Sequence, residues 1–221
     1  LNFIVNGSRR SMDAYDLVCA IVQNETTGIL DEEALKAQAV ASYTYVLYHN
    51  AAGTAPNVGI NTAISQPVKA AVSAVIGQTI RYQGSLINAT YHSTSSGKTT
   101  SAESVWGSAI PYLVSVDSSL DRKAPKYRQT VQIDANEFAR LAFSVYNIAL
   151  EGDPSSWIQA KRDAPGGYVG SVVIGGFSVS QGGRYGSGKP ITGRSVRESL
   201  MNFSIRSHCF DVQYASDRDA F

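Results

Sequence analysis

The order of periodic patterns along the chain constrains the fold most. Apolar residues at helical spacing fill the first third, from about residue 12 to 25 and then in ALKAQAVASYTYVLYHN and QPVKAAVSAVIG. Short alternating segments follow in TIRYQG, SLINATYHS and KYRQTVQI, and GYVGSVVIGGFSVS is typical of paired strands. Because helices come first and strands later, without regular alternation of the two, the pattern predicts an α+β fold in which N-terminal helices pack with an antiparallel β-rich part.

Capping residues give the expected helix ends. Ser11 is a suitable N-cap for a first helix that ends at Glu25, with Gly28 as its stop signal. Asp31 and Asp134 are suitable N-caps for two later helices. The stretch ITGRSVRESLM predicts a helix near the C-terminus, and Gly84 predicts the turn of a hairpin.

Charge and cysteine content exclude several classes of protein. The net charge is +1 with both signs mixed along the chain, which argues against broad electrostatic binding to nucleic acid or to anionic membranes. Cys19 and Cys209 are isolated, so they predict neither a disulfide framework nor a zinc site. No run of 18 apolar residues and no signal peptide is present, which leaves a cytosolic protein or a chain that begins after an anchor. A length of 221 residues suits one large domain or two closely packed lobes.

Glu25 is the first candidate for chemistry. Helical spacing places it on the same face as Val18, Ile21 and Val22, at the negative end of the helix dipole. Burial and the dipole would both favour the protonated carboxylic acid, which is the form that a general acid needs. A frayed helix end with Glu25 in solvent explains the spacing equally well.

Lys36 is the second candidate, because it interrupts an apolar stripe in the first turn of the next helix. It could snorkel to water, or it could face inward to bind a substrate or position a carboxylate. Gln38 lies on a different face of that helix and gives a weaker signal.

The run YHSTSSGKTTSAESVWG, residues 91–107, is the third candidate. Hydroxyl groups that donate and accept hydrogen bonds, together with an exposed indole, suit a sugar, whose rings have polar rims and apolar faces. His92 could act as a base, a metal ligand or a hydrogen-bond donor, and a tryptophan such as Trp106 is more often a core residue than a binding platform. Metal binding is the weakest of these interpretations, because no cysteine and no H-x-x-H spacing is near.

Taken together, EALKAQAVASYTYVLYHN, HSTSSG…VWG, PYLVSVDS and ITGRSVRESLMNFSIRSHCFDV resemble the stage II sporulation protein D family (SpoIID/LytB). The matches follow the family's order and cover nearly the whole chain. The resemblance implies a single catalytic domain over residues 1–221, with an active-site groove between the helical and the β-rich parts. It also implies a lytic transglycosylase that acts on peptide-stripped glycan strands of peptidoglycan during engulfment in sporulation.

The resemblance carries the family's functional residues over by position. Its catalytic glutamate falls on Glu25, and the Lys and Gln of its LKAQ motif fall on Lys36 and Gln38. Its His-Ser-Thr loop falls on His92, Ser93 and Thr94, so the run 91–107 is interpreted as a site wall that includes Trp106. Tyr43 stands where the family usually has arginine, and cysteines that could bind zinc in some relatives are missing. No metal or other cofactor is therefore expected.

The expected mechanism uses Glu25 alone as acid and base and leaves 1,6-anhydro-muramic acid ends. A hydrolase with a second carboxylate stays open, with Glu103, Asp117 and Asp121 as candidates for that partner. A non-catalytic glycan-binding module that enhances an amidase is the alternative from another class. The implied partners are glycan strands, a cell-wall amidase, and sporulation proteins P and M of the engulfment machinery. The implied location is extracytoplasmic, at the sporulation septum, through an N-terminal anchor that this chain lacks.

Overall fold

The computed structural model describes residues 1–26, 28, 31–125 and 127–221. The chain forms two compact units, Leu1–His92 and Ser93–Phe221. Helices and small antiparallel sheets occur together without parallel strand pairs in any sheet, which confirms the α+β fold over the described ranges. One domain with an active-site groove stays a prediction, as does its alternative of two lobes.

The first unit begins with a hairpin of β1 (Asn2–Val5) and β2 (Ser8–Ser11). Its turn residues, Asn6 and Gly7, have φ values of 49° and 75°. Positive φ at both central residues is what a type I′ hairpin turn requires, and Asn-Gly is the pair that adopts it most readily. The hairpin was not predicted, although this dipeptide was its signal.

Three helices follow: α1 (Ala14–Glu25), α2 (Glu32–Ala51) and α3 (Gln66–Val75). The predicted N-cap of α1 was wrong, because Ser11 ends β2 and Asp13 accepts the hydrogen bonds of the first turn instead. Asp31 caps α2 as predicted, by accepting a hydrogen bond of 2.9 Å from the Ala34 amide.

Helix α1 lies at the centre of the first unit, since its six consecutive residues 17–22 are all buried. Two apolar clusters meet it from different sides. One joins α1 to α2 and α3, and the other joins α1 to β1 and α2. Burial on all sides explains why this helix is apolar over its whole middle. The predicted hairpin around Gly84 is confirmed as β3 (Arg81–Tyr82) and β4 (Ser85–Leu86).

The second unit packs around α5, and its apolar cluster includes Phe138, Tyr146, Val172 and Leu200. Its regular elements are α4 (Ala102–Trp106), a 3-10 helix (Ser119–Lys123), α5 (Ala135–Tyr146), 3-10 turns at Pro154–Ser156 and Pro165–Gly167, β5 (Ile158–Lys161), β6 (Ser171–Ile174), and α6 (Gly193–Ser195), which continues as a π-helical turn (Val196–Leu200).

Asp134 caps α5, and a helix forms near the C-terminus, as predicted. Two strand predictions were wrong. Residues 127–133 of KYRQTVQI form no strand, and Lys126 lies outside the described residues. In GYVGSVVIGGFSVS only Ser171–Ile174 is a strand. Its strand partner is Ile158–Lys161, and the segment after Gly176 forms no strand but makes an isolated bridge from Phe177 to Ile174.

Candidate active site

Glu25 is the last residue of α1, and the end of that helix is fixed by Thr26. The Thr26 amide and hydroxyl both donate to the Val22 carbonyl oxygen, at 3.0 and 2.6 Å. Thr26 is only 7% exposed, so this double hydrogen bond is shielded from water. The prediction that Glu25 shares the apolar face was wrong: the buried stretch ends at Val22, and Glu25 is exposed.

The exposed Glu25 nevertheless lines a cavity of about 210 Å³. The cavity wall combines the end of α1, the middle of α2, the segment after α2 and the segment that ends the first unit. Its residues are Glu25, Tyr45, Asn57, Val58, Gly59, Thr90 and Tyr91. All of them are within the first unit, and Glu25 is the one carboxylate of this lining among the described residues.

Backbone hydrogen bonds hold the segment after α2 in place. The Ile4 amide donates to Pro56 O at 2.8 Å, and the Val58 amide donates to Ile4 O at 3.0 Å, so the segment lies against β1. The Asn61 amide donates to Ala20 O at 2.9 Å, which ties its other end to α1. This wall of the cavity is therefore anchored on both sides by the core of the unit.

Tyr91 brings a second polar group to the cavity. Its ring meets the Tyr45 ring edge-on, with centroids 6.4 Å apart. Burial raises the Tyr91 pKa, a polar contact with Ser42 partly opposes this, and the Glu25 charge raises the pKa further. The phenol stays protonated at neutral pH and can donate a hydrogen bond. Gln38 Nε2 donates to Ser42 Oγ at 3.1 Å, so polar contacts run from α2 through Ser42 to Tyr91.

Asn24 contacts the Glu25 carboxylate directly, because its Nδ2 donates to Glu25 Oε1 at 3.3 Å. The Asn24 amide lies where a Cβ on residue 59 would be, and the three atoms nearest to that position all belong to this amide. Glycine at position 59 thus leaves room for the Asn24 side chain. The pair explains a glycine whose φ is not in the left-handed region.

Lys36 makes ion pairs within its own helix. Its Nζ lies 2.7 Å from Glu32 Oε1 and 2.9 Å from Glu33 Oε1, and the hydrogen bond to Glu32 is the main cause of its raised pKa. The side chain is 24% exposed and the two carboxylates are far more so, which fits snorkelling toward water. Among the described residues that line the Glu25 cavity, Lys36 is not included. A substrate-binding role for Lys36 stays a prediction.

Tyr43 packs against the apolar cluster that joins α1, α2 and α3. The side chain at this position, where the family pattern has arginine, is partly exposed, so a substrate-binding role for Tyr43 stays a prediction. His92 ends the first unit and is exposed.

The rest of the 91–107 run belongs to the second unit. Ser93 and Thr94 are exposed, and Trp106 is 48% exposed at the end of α4. The residues between them are firmly held. The Ser95 amide donates to Asp121 Oδ2 at 2.7 Å, and Ser96 Oγ donates to Gly166 O at 2.7 Å. Residues 95 and 96 are therefore anchored within the second unit, which a flexible spacer would not be, and a role of the run as a site wall stays a prediction.

Tyr45, Asn57 and Thr90 line the cavity and were not predicted from the sequence. Tyr45 gave no signal, because a tyrosine within an apolar helix pattern is typical of a core residue. Asn57 had one, since it lies in the polar segment TAPNVGIN that follows α2.

The part of the chain that the structure describes contains no group of three or more metal-ligating side chains. Within the same ranges, no helix combines the length and the apolar character needed to span a bilayer.

Comparison with known proteins places the chain in a family. The stage II sporulation protein family (SpoIID) matches residues 7–82, which include α1, α2 and most of the cavity wall. Stage II sporulation protein D of Bacillus subtilis is 31% identical over 222 residues, covering 88% of this chain. The chain belongs to the stage II sporulation protein D family.

The namesake protein of Bacillus amyloliquefaciens is also 31% identical, over 93% of this chain. The chain spans 60% and 62% of the length of these two relatives. A protein of Bacillus subtilis named amidase enhancer is 30% identical over 141 residues, which is 62% of this chain and 19% of that protein. Glu25, Lys36, Gln38 and Tyr43 lie within the range that the family matches, whereas His92, Ser93, Thr94 and Trp106 lie beyond it.

Proposed function

We propose that this protein is a lytic transglycosylase that cleaves peptide-stripped glycan strands of peptidoglycan in cell-wall remodelling during sporulation. The observation that carries the proposal is the single carboxylate, Glu25, in the described lining of a cavity otherwise formed by neutral side chains and backbone. Membership of the stage II sporulation protein D family supports the sporulation role and the cell wall as its target.

Glu25 acts as acid and then as base in the proposed reaction. Its protonated carboxyl donates a proton to the oxygen between N-acetylmuramic acid and N-acetylglucosamine, and that glycosidic bond breaks to leave an oxocarbenium-like centre. The resulting carboxylate removes the proton from the 6-hydroxyl of the same muramic acid. The hydroxyl oxygen then bonds to the anomeric carbon and closes the 1,6-anhydro ring.

This reaction needs one carboxylate because the nucleophile is part of the substrate. A retaining or inverting hydrolase instead needs two carboxylates, about 5 to 9.5 Å apart. Asp117, Asp121 and Glu103, the partners considered from the sequence, all belong to the second unit. The described cavity lining supplies no second acid, which favours the single-carboxylate reaction.

Two neighbours of Glu25 have positioning roles in this proposal. Asn24 donates to one carboxylate oxygen and so orients the group. Tyr91 keeps its proton at neutral pH, so it can donate a hydrogen bond to a sugar oxygen or to the Glu25 carboxylate formed after proton transfer.

The remaining substrate contacts are proposed from the family pattern. Lys36, Gln38 and Tyr43 come from α2, and the 91–107 run contributes the others: His92, Ser93, Thr94 and Trp106. A cell-wall amidase and sporulation proteins P and M are the proposed partners, and the extracytoplasmic face of the sporulation septum is the proposed location.

Glu25→Gln tests the proposal. The amide keeps the size of the side chain but cannot transfer a proton, so glycan binding survives while cleavage is lost. General acid–base catalysis typically contributes about 10²- to 10⁴-fold, and the rate of cleavage is expected to fall by at least the upper end of this range. Peptide-free glycan strands are digested, and the ends are identified by mass spectrometry. Glu103→Gln serves as the matched control and keeps its activity. A Glu25→Gln variant with more than about a tenth of the wild-type rate would exclude Glu25 as the acid, because tenfold is only about 1.4 kcal/mol of barrier.

A non-catalytic glycan-binding module is the second candidate, and the likeness to a protein named amidase enhancer favours it. The same digestion separates the possibilities. Anhydro ends indicate a transglycosylase, and reducing ends indicate a hydrolase. Intact strands, with faster cleavage by an added cell-wall amidase, indicate an enhancer.

A further inference from the structure

A second cavity adjoins the Glu25 cavity in the first unit. Its volume is about 570 Å³, and the two cavities share the wall segment 57–59. It is lined by Val5, Asn6, Arg10, Asn24, Asn57, Val58, Gly59 and Ile60. Asn24, which donates to the Glu25 carboxylate, is thus a wall residue of the second cavity, next to the acid.

The polar groups of this lining have a consistent chemistry. Asn6, Asn24 and Asn57 each carry a side-chain amide, which both donates and accepts hydrogen bonds. Arg10 is the one charged residue, and no carboxylate belongs to the lining among the described residues. Such a cavity suits a ligand rich in hydroxyl and acetamido groups that carries one negative charge.

The hairpin fixes the position of Arg10. It lies in β2 directly opposite Phe3, which is fully buried in the core of the unit. Arg9, the preceding residue, lies opposite Ile4 and points to the other face of the hairpin. Of the two arginines, only Arg10 lines the cavity. No ion pair involves Arg10 in the part of the chain that the structure describes, so its guanidinium is available to a ligand.

We propose that the second cavity is a glycan subsite that binds an N-acetylmuramic acid residue, with Arg10 binding its lactyl carboxylate. The inference rests on the proposed function, since it places this sugar on the strand that Glu25 cleaves. A glycan strand that crosses the shared wall segment 57–59 places one sugar beside Glu25 and another beside Arg10. Arginine suits this contact because its planar fork matches a carboxylate in a bidentate manner. The carboxylate is free only where no peptide is attached to it.

Binding experiments test the subsite independently of cleavage. The full chain carries Glu25→Gln so that strands stay intact, and affinity is measured by calorimetry. The probes are peptide-free glycan oligosaccharides and the same oligosaccharides with the lactyl carboxyl reduced to an alcohol. Each probe is titrated into chains that also carry Arg10→Gln, Arg10→Lys or Arg9→Gln. Arg9→Gln is the matched control, because it removes the same charge from the opposite face of one strand.

Arg10→Gln is expected to weaken binding of the carboxylate-bearing probe about tenfold or more, the usual effect of losing a charge-assisted hydrogen bond. It leaves binding of the reduced probe within about twofold, which also shows that the variant is folded. Arg10→Lys keeps the charge but not the fork, so it recovers part of the loss. Arg9→Gln binds both probes as the parent does.

Equal losses on the two probes, or equal losses from Arg9→Gln and Arg10→Gln, would overturn the subsite. The proposed function fails on a different result: strands incubated with the protein that has Glu25 give no anhydro ends. If that happens while Arg10 still discriminates between the probes, the subsite stands and the chemistry does not.

Discussion

Gly59→Ala perturbs the candidate site through one contact. The added Cβ overlaps the Asn24 amide, whose Nδ2 otherwise donates to Glu25 Oε1. Moving that amide costs about 0.5 to 1.5 kcal/mol in rotamer energy and loses a hydrogen bond worth about 0.5 to 1.5 kcal/mol. Alanine also lowers the conformational entropy of the unfolded chain, which stabilises the folded state by about 0.4 to 1 kcal/mol. We therefore expect a net destabilisation of about 1 kcal/mol, and a Tm lowered by about 2 to 4 °C for a chain of this length.

The sign of the effect should reverse when the Asn24 side chain is removed. In an Asn24→Ala background the added methyl meets no amide. The remaining effect is the lower conformational entropy of the unfolded chain, so Gly59→Ala stabilises the protein by about 0.4 to 1 kcal/mol. Thermal unfolding of the wild type, both single variants and the double variant measures this coupling. Glycan cleavage by Gly59→Ala should fall in parallel with cleavage by Asn24→Ala. A Gly59→Ala effect that is the same in both backgrounds would refute the contact as its cause.

Three further predictions concern other parts of the chain. Lys36→Ala removes ion pairs that solvent screens and that contribute little to stability, so its Tm stays close to that of the wild type while glycan cleavage falls. Unfolding without a specific loss of activity would assign a structural role to Lys36. Burial and the charge of Arg197 lower the His208 pKa, so the unfolded state binds a proton at a higher pH than the folded state does. The free energy of unfolding therefore falls as the pH drops below about 6.5. The Tm of His208→Gln should decrease less than that of the wild type between pH 7.5 and 5.5. Dialysis against a strong chelator should leave cleavage intact, and activity restored only by zinc would contradict this.

Local signals predicted the helices well. Asp31 and Asp134 each stand before a helical pattern, and both cap a helix by accepting amide hydrogen bonds. Pairing between distant segments was harder to predict. The strand at Ser171–Ile174 pairs with Ile158–Lys161, and this pairing places Val172 and Ile174 in the core around α5. No local pattern in GYVGSVVIGGFSVS specifies that partner.

Part of the candidate site could likewise be predicted from local sequence, and part of it could not. Glu25 was proposed from its place before the EALKAQA helix, but its exposure could not be predicted, because it depends on where the buried stretch of α1 ends. The ion pairs of Lys36 follow from glutamates three and four residues earlier, a signal that the sequence contained. The contact of Tyr91 with Tyr45, and the approach of Asn24 to Gly59, join segments more than 30 residues apart. Only tertiary packing brings such residues together.

Each compact unit contains one of the two cysteines, so each unit can be probed through its own thiol. Cys19 is 1% exposed in the cluster that joins α1, α2 and α3, whereas Cys209 is partly exposed beside Arg162. A thiol reagent reaches Cys19 only when the helices of the first unit separate, so its labelling rate under native conditions reports that opening. Because Cys209 reacts without such an event, single-cysteine variants allow the local stability of α1, and thus of the helix that ends in Glu25, to be followed by itself.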